Sequence, residues 1–286
     1  MSLEVVRPGA LTTVQDLGRA GYAHLGVPRS GALDAYAHRL ANRLVGNAPC
    51  AATLETTVDG TAVRTTLAVT AAVTGAPCPV RVDGRPAAWG APLRVPAGTV
   101  LEVGRAVRGV RSYVAFRGGI DVPPVLGSRS TDLLSGLGPE PLAEGSVLPL
   151  GAPQGPSTGA DAIPVPAPPA ELVLPLRLGP RDDWFTAAAL AGLGRSVYRV
   201  SPASNRVGLR TEGPPLARAR NGELPSEGMV LGAVQVPPDG LPVIFLADHP
   251  VTGGYPVIGV VPEPQLPAAA QAVPGTPLIF QPTRHS

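Results

Sequence analysis

The chain has 286 residues, 23 basic and 21 acidic, and a formal net charge of +2. This length exceeds any peptide scaffold, and the balance, with no block of one sign, gives no electrostatic footprint for nucleic acid or an anionic membrane. With 35 Gly, 36 Pro, 44% apolar and only 4% aromatic residues, the composition favours many short strands joined by tight turns, so a mainly β fold is expected.

All 23 basic residues are arginine. A chain without lysine has no GxxxxGK[ST] phosphate loop, forms no Schiff base and cannot carry biotin on a lysine. The longest apolar runs, 110–116 and 241–247, fall far short of the roughly 20 residues that span a bilayer. The opening MSLEVVRPGALTTVQD lacks the apolar core of a signal peptide, which points to the cytoplasm. Cys50 and Cys78 make no disulfide framework and are read as small buried residues.

In chain order, the first strong element is a helix over 31–45, GALDAYAHRLANRLV, with Leu33, Tyr36, Ala37, Leu40, Ala41 and Leu44 at helical intervals. Gly46-Asn47 would stop it and Ser30 would cap its start. Strand-like texture follows at 65–75, 79–90, 99–104 and 111–119. The stretch 151–171, GAPQGPSTGADAIPVPAPPAE, reads as a Pro/Gly-rich linker between a β-rich half at 1–150 and another at 172–286. Beyond it come strands at 171–179, 196–200, 228–236 and 241–247, and a helix over 182–193 that begins with two acids. Asn42-Arg43-Leu44-Val45-Gly46 and Asn205-Arg206-Val207-Gly208 hint at an internal duplication; chance matching of Gly-rich turns is the competing explanation.

Four polar clusters interrupt this texture. In LGVPRSGALD, Arg29 and Asp34 flank a helix N-terminus, a natural anion site, while for Ser30 alone a plain N-cap is the better explanation. In GSRSTDLLSGLG, Arg129 and Ser130 could hold a phosphate or carboxylate and Asp132 a cation, or Ser130 or Asp132 could cap a short helix over 133–137. The third, SPASNRVG, carries Asn205 and Arg206. The fourth runs from Glu227 into FLADHPVTGGYPVIG, with Asp248, His249, Thr252, Gly253 and Tyr255. This last stretch is a hairpin loop or one wall of a pocket where Asp and His handle protons and glycines admit a ligand to the backbone. No histidine has a partner at zinc-ligand spacing, so no metal centre is assigned.

The blocks TTVQDLGRAGYAHLGVPRSGALD, LANRLVG, GGIDVPPVLGSRSTDLLSGLG, GPRDDWF, SNRVGLRTEGPPL and LPSEGMVLGAVQVPPDGLPVIFLADHPVTGGYPVIGVV resemble the family of the 5-oxoprolinase C subunit. That family is also called PxpC or KipA, the second component of allophanate hydrolase, or biotin-dependent carboxyltransferase. The resemblance implies cyclophilin-like barrel halves with a few short helices, and a hetero-oligomer with a KipI-like B subunit and a LamB/YcsF-like A subunit. Together these would hydrolyse 5-oxo-L-proline to L-glutamate with ATP and Mg²⁺, and this chain alone would be inactive or nearly so. Within the matching blocks, Arg129 and Arg206 are expected to hold phosphate or substrate carboxylate. Asp132, Glu227 and Asp248 would handle Mg²⁺ or protons, and His249, Thr252, Gly253 and Tyr255 would line the pocket. The alternatives are the carboxyltransferase component of a biotin-dependent urea carboxylase or allophanate-type system, without biotin attached here, and a KipA-like regulator that sequesters a KipI-type kinase inhibitor.

Overall fold

A computed structural model describes residues 1–153, 162, 169–220, 222 and 224–283. Most of the linker-like stretch, residues 154–161 and 163–168, therefore lies outside the described residues. The chain divides into two compact units, one of residues 1–19, 30–132 and 136–168, the other of residues 20–29, 133–135 and 169–286.

The fold is mainly β, as the composition predicts. In the first unit, a six-stranded sheet runs in the order Val147–Pro149, Ser2–Arg7, Thr61–Thr65, Val100–Val103, Val80–Val82, Arg85–Ala87. A five-stranded sheet runs Thr12–Gln15, Thr53–Thr57, Arg111–Phe116, Val69–Gly75, Pro92–Val95. Alternate apolar residues of these strands, among them Leu3, Val5, Val63, Val73, Leu101 and Phe116, form one buried core.

The helix Ala35–Leu44 lies on the strands Val69–Gly75 and Arg111–Phe116. It buries Ala37, Leu40, Ala41 and Leu44, and each leucine contributes about 1.5–3 kcal/mol by leaving water. The helix starts later than its periodicity suggests, and its cap is Asp34, whose side chain accepts from the Ala37 amide at 2.9 Å, rather than Ser30. The reason is packing. Gly31 has φ +95° and comes so close to Gly18 that a Cβ would stand 2.7 Å from its nitrogen. The Leu33 amide is drawn off to Glu55 Oε2 at 3.0 Å. Residues 30–33 are thereby held in non-helical backbone.

In the second unit, a closed barrel runs Leu172–Leu178, Val257–Val260, Ala233–Gln235, Val243–Phe245, Gly208–Glu212, Tyr198–Val200, Pro277–Thr283. The parallel pairing of Leu172–Leu178 with Pro277–Thr283 closes it and leaves no edge. The expected helix over 182–193 divides into a 3₁₀ turn, Asp182–Trp184, and a helix, Ala187–Leu193, capped by Thr186. Leu266–Ala270 forms a further short helix that carries no strong sequence signal.

The two Asn-Arg segments do not share local structure: 42–44 ends a helix, whereas 205–207 is a turn before the strand Gly208–Glu212. No helix over 133–137 forms; residues 133–135 are a turn. Both cysteines are free, and Cys50 is exposed, against expectation, while Cys78 is buried. Among the described residues no helix is long and apolar enough to cross a membrane.

Candidate functional site

In the barrel unit, antiparallel pairing of Gly208–Glu212 with Val243–Phe245 continues past the strand ends. The Leu246 amide donates to Val207 O at 3.0 Å and the Asp248 amide to Arg206 O at 3.1 Å. This clip sets two side chains, 42 residues apart in sequence, face to face. Arg206 Nε and Nη2 donate to Asp248 Oδ2 and Oδ1 at 2.8 and 2.9 Å, a bidentate pair with side chains only 1% and 0% exposed. The Leu133 amide adds a third donor to Asp248 Oδ2 at 3.2 Å. A buried carboxylate is tolerated on such terms, because charged and oriented donors replace the water it loses.

Asn205 serves this geometry through the backbone. Its Oδ1 accepts from the Val207 and Gly208 amides at 2.9 and 3.2 Å, and the resulting turn delivers Arg206 inward. Next to Asp248, the buried His249 stacks on Phe245, with centroids 5.7 Å apart and planes 11° from parallel. Its Nδ1 lies 2.8 Å from Pro250 O. A carbonyl only accepts, so Nδ1 carries a proton, and in a neutral ring the basic nitrogen is then Nε2.

The rest of the fourth cluster is arranged differently. Glu227 pairs with Arg181 through both carboxylate oxygens, and that hydrogen bonding holds its carboxyl below the usual glutamate value. Its strand Glu227–Gly228 forms a two-stranded ribbon with Thr252–Gly253. Gly253 admits the protein's own side chains, since a Cβ there would stand 2.7 Å from Gln235 Nε2 and 3.3 Å from Met229 Cε. Thr252 and Tyr255 are exposed. Arg29 forms an ion pair with Glu263 at 2.9 Å in the same unit.

In the first unit the loop 128–132 is organised by a residue that the sequence did not single out. Asp16 Oδ1 accepts from Ser128 Oγ and Ser130 Oγ, both at 2.6 Å, and from the Gly18 amide at 2.8 Å; Oδ2 accepts from the Arg129 amide at 2.7 Å. Burial alone would raise its pKa, yet these four bonds to the ionised form hold it below the ordinary value of 3.8. Arg19 reinforces the loop by donating to Ser130 O. Ser130 and Ser30 are thus interior residues: Ser30, at φ +54°, donates to Thr131 O at 2.9 Å. Asp132 is buried as well, and its backbone closes a turn through Leu137 O and the Gly136 amide. The signal for Asp16 was the strand Thr12–Gln15, polar at three of four positions and buried at all four.

Nothing among the described residues brings three His, Cys, Asp or Glu side chains together as a metal site. Arg206 faces Asp248, and Glu227 faces Arg181.

A seven-stranded barrel and a two-sheet unit in one chain make the architecture of a carboxyltransferase domain. The family model for the carboxyltransferase domain, subdomain A and B, matches residues 25–282, and the chain belongs to this family. It is 39% identical to the 5-oxoprolinase C subunit of Escherichia coli, over 97% of this chain and 90% of that protein. It is also 36% identical to the urea amidolyase of Lachancea kluyveri, over 98% of this chain but 17% of that protein. The crystal structure of the K. lactis urea amidolyase superposes with a TM-score of 0.92 at 33% identity, over 98% of this chain and 18% of that one.

Proposed function

We propose that this chain is the C subunit of an ATP-dependent 5-oxoprolinase, which opens the lactam of 5-oxo-L-proline to L-glutamate together with the A and B subunits. The observation that carries this reading is the 39% identity to the E. coli protein, extending over nearly the whole of both chains. The partners would be a LamB/YcsF-like A subunit and a KipI-like B subunit.

A lactam amide resists hydrolysis, and phosphorylation of its carbonyl oxygen by ATP turns that oxygen into a leaving group. This step needs chiefly positioning and charge neutralisation. The described residues do not by themselves fit a triphosphate or its Mg²⁺. There is no lysine for a phosphate loop, no cluster of three metal-ligating side chains, and the carboxylates of Asp248 and Glu227 are each matched to an arginine. Nucleotide binding therefore falls to the assembled complex. This chain's part is to hold a proton-handling group: Arg206 fixes Asp248, while Pro250 O and Phe245 fix His249 with Nε2 as its base. Arg29, Arg129, Thr252 and Tyr255 keep exposed or half-exposed side chains suited to substrate or a partner. Ser30, Ser130, Asn205 and Gly253 shape the backbone around them.

The urea amidolyase relatives favour a second reading, carboxyl transfer to a urea-like amide from biotin carried on another protein, since this chain has no lysine to carry it. The test is ATP consumption and product formation by this chain mixed with its cognate A and B subunits, with 5-oxoproline in one arm and with urea and a carboxybiotin carrier in the other. Glutamate in the first arm supports the oxoprolinase. Carboxylated urea, without glutamate, would transfer the assignment to the second reading.

A further inference from the structure

The first unit holds a cleft of about 360 Å³ whose lining contains none of Arg206, Asp248 and His249, within the roughly 300–1,000 Å³ range of small-molecule sites. Its lining includes Cys50, Ala51, Gly118, Gly119, Asp121 and Arg129. Gly118 and Gly119 run at φ +96° and +73°, and a Cβ on Gly119 would stand 3.2 Å from Ala51 Cβ, so bare backbone keeps the walls apart.

Arg129 is oriented along one edge only. Its Nε donates to Val122 O at 2.7 Å and its Nη2 to Asp121 Oδ1 at 2.7 Å. The edge formed by Nη1 and the second hydrogen of Nη2 makes no hydrogen bond among the described residues, and 35% of the side chain is exposed. A guanidinium edge is a fork matched to a carboxylate. The charge balance limits the anion: one arginine and one aspartate are the only charged residues in the lining, and their zero net charge disfavours a polyphosphate and leaves at most a single negative charge for the open guanidinium edge. The remaining walls are mostly alanine, glycine and Ile120, suited to a short aliphatic chain.

We propose that this cleft is a seat for a short aliphatic carboxylate, held by the outward edge of Arg129 and lying alongside the Cys50 thiol. The inference shares Arg129 with the reading above but not its reaction, so either can fail alone.

The thiol supplies the test on the chain as it is. Iodoacetate carries a carboxylate and iodoacetamide does not; in both, the thiolate attacks the methylene carbon and iodide leaves. Mass spectrometry follows Cys50, with buried Cys78 as the unreactive reference. Iodoacetate labelling should saturate with concentration, and butyrate should slow it about tenfold. Arg129→Gln should abolish both effects while leaving the iodoacetamide rate unchanged, which reports an intact fold. Should that variant fold poorly, Asp121→Asn, at an exposed position, removes the competing charge and should strengthen butyrate protection severalfold. Labelling linear in iodoacetate, absence of protection, or protection unaltered in a folded Arg129→Gln or in Asp121→Asn would overturn the proposal.

Discussion

Replacing Asp248 with alanine removes the acceptor of two guanidinium hydrogen bonds and of the Leu133 amide at a place where Arg206 is 1% exposed. The cost is that of a buried charge left without its counter-ion, about 3–5 kcal/mol. With m near 2 kcal/mol/M this lowers the urea midpoint by about 2 M. The chain has two tryptophans, Trp89 in the first unit and Trp184 in the barrel unit, so a Trp89→Phe background lets fluorescence report the barrel alone. Adding Arg206→Met to Asp248→Ala should recover most of the loss, because a buried ion pair is often replaced by apolar side chains at little net cost. A loss under about 1 kcal/mol in Asp248→Ala, the size expected of a solvated pair, or no recovery in the double variant, would refute this account of the pair.

Three further outcomes follow from single residues. His38 is buried against Thr53 Oγ1 and Pro49 O, and burial depresses its pKa from 6.5 to about 4. Its stabilising contribution is complete above pH 6.5 and is lost as pH falls to about 4, a decline of about 3 kcal/mol. A pH series of urea midpoints should show that slope in wild type and lose most of it in a folded His38→Gln variant. Tyr198 places a buried hydroxyl that finds no hydrogen-bond partner among the described residues, so Tyr198→Phe should leave the melting temperature unchanged or raise it; a fall of several degrees would show a partner for the hydroxyl. Gly138 sits at φ +85°, and a Cβ added there would stand only 2.1 Å from Ser130 O, so Gly138→Ala should cost about 1–3 kcal/mol by displacing the loop that Asp16 holds, read from the thermal midpoint.

The strand content and both longer helices were legible because they rest on local rules of periodicity, turn residues and composition. The start of the first helix was not, since Gly31 and Leu33 are held by Gly18 and Glu55, partners that only the tertiary fold supplies. Arg206 and Asp248 each stood out as polar residues in apolar surroundings. Their pairing depends on a strand register that no single-residue signal encodes. Asp16 escaped notice for the opposite reason: it stands among other polar residues, after the strand Thr12–Gln15 and before a Leu-Gly turn, and its four bonds come mostly from residues more than a hundred positions away.

The central claim is tested most directly by glutamate formation from 5-oxoproline and ATP by the cognate A and B subunits, with this chain present, omitted, or carrying His249→Gln. The account predicts turnover only when the chain is present, and a loss of at least about a hundredfold in the variant. Full turnover without the chain, or turnover unaffected by the substitution, would contradict it.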